Sequence, residues 1–384
     1  MIFIIILIFL SNLVFFIDST NFVLGNNLSN DREKRAVLRR KNYLWREKEI
    51  VVHISSMLNE NVVKLALYRI SMETCLKFLL TRNPKKAIFI YQPGKYHETV
   101  LGRRKVIPQR INLPMGKEEV GKTMRETLRA LGFDYEHNRN DRDKFISINE
   151  TFIIPEFLKY FRKNYKGSAN TYGFGYDYRS LMHFKENEYG IASRIVITAH
   201  NNYMQLLMGK SERLTFNDAK LVNKVYCSNL TTVFPPRCYN YGYQHPKHKS
   251  SMCLCPPFVH GTNCQSWLSN HKFCTINNRF VATRKKTTIY PRVAGKCTFY
   301  ISSSYGSKIM VKLGFDKVRP HTFICKENNS VEIRFQKDLS VSGILFCPGN
   351  YPLKILSQGN LVIIQSNLPE VTMRLKIKYW QYSD

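Results

Sequence analysis

A chain of 384 residues that is 44% hydrophobic can bury two or three packed cores. Its formal net charge of +30 is spread along the whole length, with no single basic stripe and no nucleic-acid fold motif. Nucleic acid is therefore excluded as the expected partner, and weak affinity for anionic glycans or lipid headgroups is left beside the plainer reading of a solvated basic surface.

The first 25 residues hold apolar runs at Ile2 to Leu10 and Leu13 to Ile17, broken by Ser11 and Asn12. They read as a signal peptide lacking the usual positive start, with an uncleaved anchor as the rival. Residues 30 to 45 are basic, lack periodicity and carry the dibasic pairs Lys34-Arg35 and Arg39-Arg40, the composition of a processing site. A strand is expected at Ile50 to Ile54, and an amphipathic helix from Asn61 to Leu80 on the spacing of Val63, Leu67, Ile70, Cys75 and Phe78. Lys86 to Gln92 and Val106 to Leu113 read as strands. The next helix, Glu118 to Leu131, has Val120, Met124, Leu128 and Leu131 as its buried stripe and Gly132 as its stop. Another begins at Thr215, where Asp218 completes a capping box, and runs towards Cys227.

Ten cysteines form an even set, and eight of them follow residue 230. In an exported chain that clustering reads as disulfide-bonded C-terminal modules. Sequons at Asn27, Asn149, Asn229 and Asn328 agree with export. Residues 238 to 264 are dense in cysteine, glycine and proline, as a small disulfide knot is. Short alternating runs at Lys308 to Leu313, Ser330 to Phe335, Ile344 to Cys347, Asn360 to Gln365 and Thr372 to Tyr379 predict an all-β sandwich.

The segment from Arg125 to Asn149, RETLRALGFDYEHNRNDRDKFISIN, resembles the active-site segment of the astacin family of zinc metallopeptidases, whose pattern is H-E-x-x-H-x-x-G-F-x-H-E-x-x-R-x-D-R-D. GYDYRSLMHF (175 to 184) resembles the family's Met-turn, with Met182 as its methionine, and METCLKF (72 to 78) its first-helix cysteine segment. The knot resembles an EGF-like module and the last third a CUB domain, an order found in nematode astacins. The resemblance thus implies an α+β metzincin-like domain, a small disulfide-rich EGF-like module and an all-β CUB sandwich. The implied boundaries are a signal peptide at 1–25, a short basic pro-segment at 26–40, a peptidase-like domain at 41–229, an EGF-like module at 230–265 and a CUB domain at 274–382. It also implies the pairs Cys75–Cys227, Cys238–Cys253, Cys255–Cys264, Cys274–Cys297 and Cys325–Cys347, and glycosylation at Asn149, Asn229 and Asn328.

Matched residue by residue, the family's three zinc histidines fall on Arg125, Arg129 and Tyr135, and the Met-turn tyrosine that can join the metal falls on Phe184. Zinc needs a free lone pair from imidazole, thiolate or carboxylate, whereas arginine stays protonated and offers donors alone. Glu126 matches the general base but, with no metal to acidify a water, is expected to serve as counter-ion to the two arginines. Gly132, Phe133, Glu136, Arg139, Asp141, Arg142, Asp143 and His183 match the family, so the turn and its ion pairs should persist. The short-loop disulfide and the F-x-G-D propeptide block are both missing.

The expectation is a secreted pseudoprotease that holds no zinc and acts by binding an extracellular protein or an acidic glycan or peptide, with no nucleic acid and no stable membrane span after signal cleavage. Arg125 and Arg129 are expected to face the groove and keep its floor electropositive. The competing class is an active zinc metalloendopeptidase that cleaves extracellular proteins with non-standard ligands, against which histidines near the site are scarce. A serine or cysteine hydrolase would need a nucleophile elbow that is absent here.

Overall fold

The computed structural model describes residues 37–38, 43–165, 169–228, 236–246, 252–316, 325–369 and 372–382. The signal-peptide expectation and the sequons at Asn27 and Asn229 lie outside these residues.

The N-terminal half is built on a five-stranded sheet in the order Lys77–Leu80, Glu49–Ile54, Phe89–Gly94, Gln109–Pro114, Glu98–Thr99. The first four strands run parallel, and the short edge strand Glu98–Thr99 is antiparallel. Helix α1, Glu60–Glu73, is capped by the Asn59 side chain and buries Val63, Ala66, Leu67 and Ile70. The expected helix from Asn61 to Leu80 therefore stops early. Thr74 is extended, Cys75 is held by a disulfide to Cys227, and Lys77–Leu80 joins the sheet instead. Phe78, which continued the helical spacing, packs as a strand residue, so tertiary pairing overrode the period.

Helix α2, Val120–Ala130, runs beneath the sheet, where Tyr91 bonds Thr127 at 2.8 Å between hydroxyls. The expected stripe understates it, because every residue from Thr123 to Ala130 is buried. Gly132 ends the helix at φ +100°, and a Cβ there would meet Leu44 Cδ2 at 2.7 Å. Helix α3, Phe216–Tyr226, starts at the Thr215–Asp218 capping box and delivers Cys227 to Cys75.

Val37 and Leu38 pair antiparallel with Asn170 and Ala169, and Val37 is fully buried and bridges Phe133. The pro-segment expected over 26–40 thus overlaps the folded body at these two residues.

After α3, two short hairpins carry the disulfides Cys238–Cys253 and Cys255–Cys264. Then two five-stranded sheets face one another. One orders Arg279–Val281, Lys296–Ser302, Leu361–Asn367, Ser330–Arg334 and Ile344–Phe346. The other orders Thr287–Ile289, Met373–Tyr382, Lys308–Phe315 and Leu353–Leu356, with Arg292–Val293 also on Met373–Tyr382. Alternation sends Phe299, Ile301, Val311, Leu313, Ile333, Ile364 and Ile377 into the shared core. Cys274–Cys297 and Cys325–Cys347 staple this sandwich.

The sandwich is docked on the segment before Met182. Buried Arg179 donates to Glu332 Oε1 at 2.9 Å and to Gly343 O at 3.3 Å, and also pairs with Glu327. Ser342 Oγ donates to Asp177 Oδ2 at 2.9 Å, and the Gly175 amide to Asp338 Oδ2 at 3.2 Å.

Candidate functional site

The residues at the altered motif positions converge between α2, the turn after it and the Met182 turn, but both arginines are buried in ion pairs and not open to a groove as free charges. Arg125 is 3% exposed and Arg129 8%. Arg125 Nε donates to Leu181 O at 3.0 Å, Nη2 to His183 O at 3.1 Å and Nη1 to Glu188 Oε1 at 2.9 Å, clasping the main chain on both sides of Met182. Arg129 Nη1 donates to Asp134 Oδ1 at 2.7 Å and Nε to Thr99 O at 3.3 Å, and its guanidinium lies 4.1 Å over the Tyr135 ring. Charges taken this far from water persist only with such partners.

This corrects two expectations. The counter-ions are Glu188 and Asp134, not Glu126, and the floor of the former cleft presents no free guanidinium fork. The α2 axis explains the first: Glu126 turns from the helix towards Tyr135, whose hydroxyl donates to Glu126 Oε1 at 3.0 Å. Burial pushes the Glu126 carboxyl up to about 7, against the pull of Arg129 and Arg125. Its Oε2 has no hydrogen-bond partner. Burial likewise drives the Tyr135 phenol well above its ordinary value.

Tyr135 is wedged against Phe184, with ring centroids 4.4 Å apart, and stacks at 5.3 Å on His137. The two nearby imidazoles are structural. His183 bonds the Tyr176 hydroxyl at 2.8 Å and Phe184 O at 2.7 Å, and burial lowers it to about 4. His137 reaches Tyr160 O at 3.1 Å, and burial holds it well below its usual range. Neither ring points a free nitrogen at a common centre with Tyr135.

The supporting turn is in place. Arg139 forks onto Asp141 at 2.9 and 3.1 Å, reaches Glu136 at 2.8 Å and donates to Phe174 O and Gly175 O. Met182 accepts the Glu136 amide at its carbonyl, 3.0 Å away. Arg142 donates to His137 O and Phe161 O, with Asp143 3.5 Å off.

Above Arg129 the two halves of the domain are tied together. Tyr96 packs edge-on against Phe157 at 4.8 Å and its hydroxyl donates to Glu156 at 3.2 Å. Glu98, on the edge strand, accepts from Lys159 at 3.0 Å and from the Tyr160 hydroxyl. Sequence reasoning missed this strap, as it missed Glu188 and Asp134. Asp134 alone had a local signal, being an acid five residues after Arg129.

A cavity of about 350 Å³ opens at the start of α2, lined by Lys122, Arg125, Lys185 and Lys210 with Glu119 and Glu212. Lys122 pairs with Glu119 at 2.6 Å. Among the described residues the one grouping of metal-capable side chains is His271, Cys274 and Cys297, and its two sulfurs are bonded to each other. No helix among the described residues is long and apolar enough to cross a membrane.

Comparison with known proteins bears on the same segment. The model of the astacin peptidase family matches residues 37–227. Zinc metalloproteinase nas-34 of Caenorhabditis elegans is 29% identical over 338 residues, covering 85% of this chain and 54% of its own. Zinc metalloproteinase nas-23 of the same organism is 30% identical over 268 residues, covering 66% of this chain and 48% of its own. The chain thus spans about half the length of these relatives. The solved structure of high choriolytic enzyme 1, a hatching-enzyme zinc-protease from the medaka Oryzias latipes, is 26% identical, covers 48% of this chain and 95% of its own, and superposes with a TM-score of 0.43.

Proposed function

The chain belongs to the astacin family of metallopeptidases through residues 37–227, and from that premise we propose that it is a secreted binding protein on a peptidase fold whose hydrolytic chemistry has been removed. The observation that carries this reading is the engagement of Arg125 and Arg129, at two metal-ligand positions of the family motif, in ion pairs with Glu188 and Asp134.

The donor set does not fit zinc. Two guanidiniums have no lone pair to give, Phe184 has no donor atom, and Tyr135 would have to ionise where burial opposes it. Arg125 joins α2 to both flanks of Met182 through two donors and to Glu188 through a third. Glu126 is held by a phenol, and no metal-borne water is available to it as a substrate for general base chemistry.

The five disulfides support an extracellular setting, as do exposed sequons at Asn149 and Asn328. In this reading the small two-disulfide module is EGF-like, the sandwich is a CUB domain, and function rests on an acidic glycan or peptide, or a protein bearing such groups, meeting a basic surface.

The test is proteolysis. Purified protein supplied with zinc and mixed with a degenerate peptide library at neutral pH should release no new amino termini. Chelator-sensitive cleavage that survives further purification, and that is lost in a Glu126→Gln variant, would overturn the proposal.

A further inference from the structure

Strand Lys308–Phe315 lies inside its sheet, with Met373–Tyr382 on one side and Leu353–Leu356 on the other. Ile309, Val311 and Leu313 point into the core, so alternation turns Met310 and Lys312 to the outer face. The register sets Lys312 directly opposite both Lys354 and Lys378. Three lysines therefore stand abreast at the strand spacing of about 4.8 Å. Further along the same face come Lys376 and then Arg374, which is itself opposite Arg292. Five of these six are exposed, Lys378 is half-buried, and no carboxylate among the described residues forms an ion pair with any of them.

Like charges placed directly opposite one another weaken a sheet, so this row opposes folding. Lysines do protect exposed sheet edges from association. That accounts for Lys354 on the edge strand but not for Lys312 and Lys378, whose strands are paired on both sides. The row is better explained by an anion that arrives from outside.

Resting on the binding reading above and giving it a location, we infer that this outer sheet face is a docking surface for a linear sulfated polysaccharide. Lysine ammoniums act as point charges for sulfate, and a row of them at strand spacing suits a ligand that repeats its charge along a chain. The aromatic rings on this side lie among the charges: Lys286 sits 5.4 Å over Trp380 and Lys376 6.0 Å over Tyr290. A lipid surface fits less well, because Met310 is buried and Trp380 half-buried, and the exposed apolar side chains on this side, Leu356 and Tyr290, do not form a large apolar face.

The experiment measures binding of a heparin-derived octasaccharide to the full chain by calorimetry at several salt concentrations. The variant Lys312→Gln/Lys354→Gln/Lys378→Gln is compared with Lys85→Gln/Lys86→Gln/Lys117→Gln, which removes the same charge from exposed sites in the N-terminal half. The sheet-face variant should bind at least about tenfold more weakly and lower the slope of log affinity against log salt by about two, while the distant variant changes little. Its melting temperature should hold or rise, since repulsion is relieved. Equal loss in both variants would reduce the effect to diffuse charge and overturn the inference. So would undiminished binding in the sheet-face variant, absence of octasaccharide binding by the parent, or a variant that loses phosphatidylserine vesicles and keeps the octasaccharide. The parent's peptide cleavage decides the inactive-protease reading separately, because it is blind to this face.

Discussion

Arg129 and Asp134, five residues apart across the end of α2, form a buried ion pair at 2.7 Å in which Asp134 also accepts the Tyr135 amide at 2.8 Å. The pair fixes the turn on which Tyr135 stands, at the end of α2. Removing one member strands the other in a medium that cannot solvate it. Arg129→Ala should therefore cost about 3–5 kcal/mol in urea unfolding, and Arg129→Ala with Asp134→Ala should cost less than the sum of the two single changes. Strict additivity would mean that the pair is not coupled.

Glu126 gives a pH signature whose sign is fixed by its environment. Burial pushes its folded carboxyl up to about 7 from an ordinary value of 4.5. Between those values the unfolded chain gives up the proton first, so the stability this group contributes is full below pH 4.5 and is lost as pH rises to about 7. Against Glu126→Gln, which cannot titrate, the parent should lose on the order of 3 kcal/mol between pH 4.5 and pH 7. Glu136, also pushed up to about 7 by burial, is common to both proteins and cancels in the difference. Parallel pH curves for the two proteins would show that Glu126 is ionised in the fold.

Much of the fold was legible because several elements satisfy local and tertiary demands together. Thr215 and Asp218 announce α3 through a cap that forms as read. Met124, Leu128 and Leu131 announce the buried side of α2. Five of the ten sandwich strands, among them Lys308–Phe315 and Met373–Tyr382, follow from alternation, whereas Lys296–Ser302 and Leu353–Leu356 were not read from it. Cys75 and Phe78 misled because they continue a helical period into a segment that the sheet claims. The chemistry at Arg125 and Arg129 was legible as incompatibility with a metal, since residue type decides that. Their burial was not, because it depends on Glu188, Thr99 and Leu181, which are distant in the chain and carry no motif.

The contact between the two halves predicts joint unfolding. Arg179 holds Glu332 and Glu327 from across the interface, and burial of Asp177 beside it is relieved by Ser342. With Arg179→Ala, Glu332 keeps Arg334 and the Gly343 amide but loses its partner across the interface, and calorimetry should resolve one transition into two as the sandwich uncouples. A single unchanged transition would show that the interface carries little of the stability.

The disulfide Cys75–Cys227 closes a loop of 152 residues around the N-terminal half. Replacing both cysteines by alanine should lower stability by about 5 kcal/mol on chain-entropy grounds, measured by denaturant unfolding. A loss below about 1 kcal/mol would mean that the unfolded chain is already confined without it.

Zinc stoichiometry tests the central claim most directly. Protein purified without chelator, incubated with excess zinc and then passed through a desalting column, is assayed for metal by mass spectrometry. With guanidiniums paired to Glu188 and Asp134 and the Tyr135 phenol held protonated, bound zinc should fall well below one ion per chain. One zinc per chain that is retained on the column, and lost in an Arg125→Ala/Arg129→Ala/Tyr135→Phe variant that remains folded, would contradict the account.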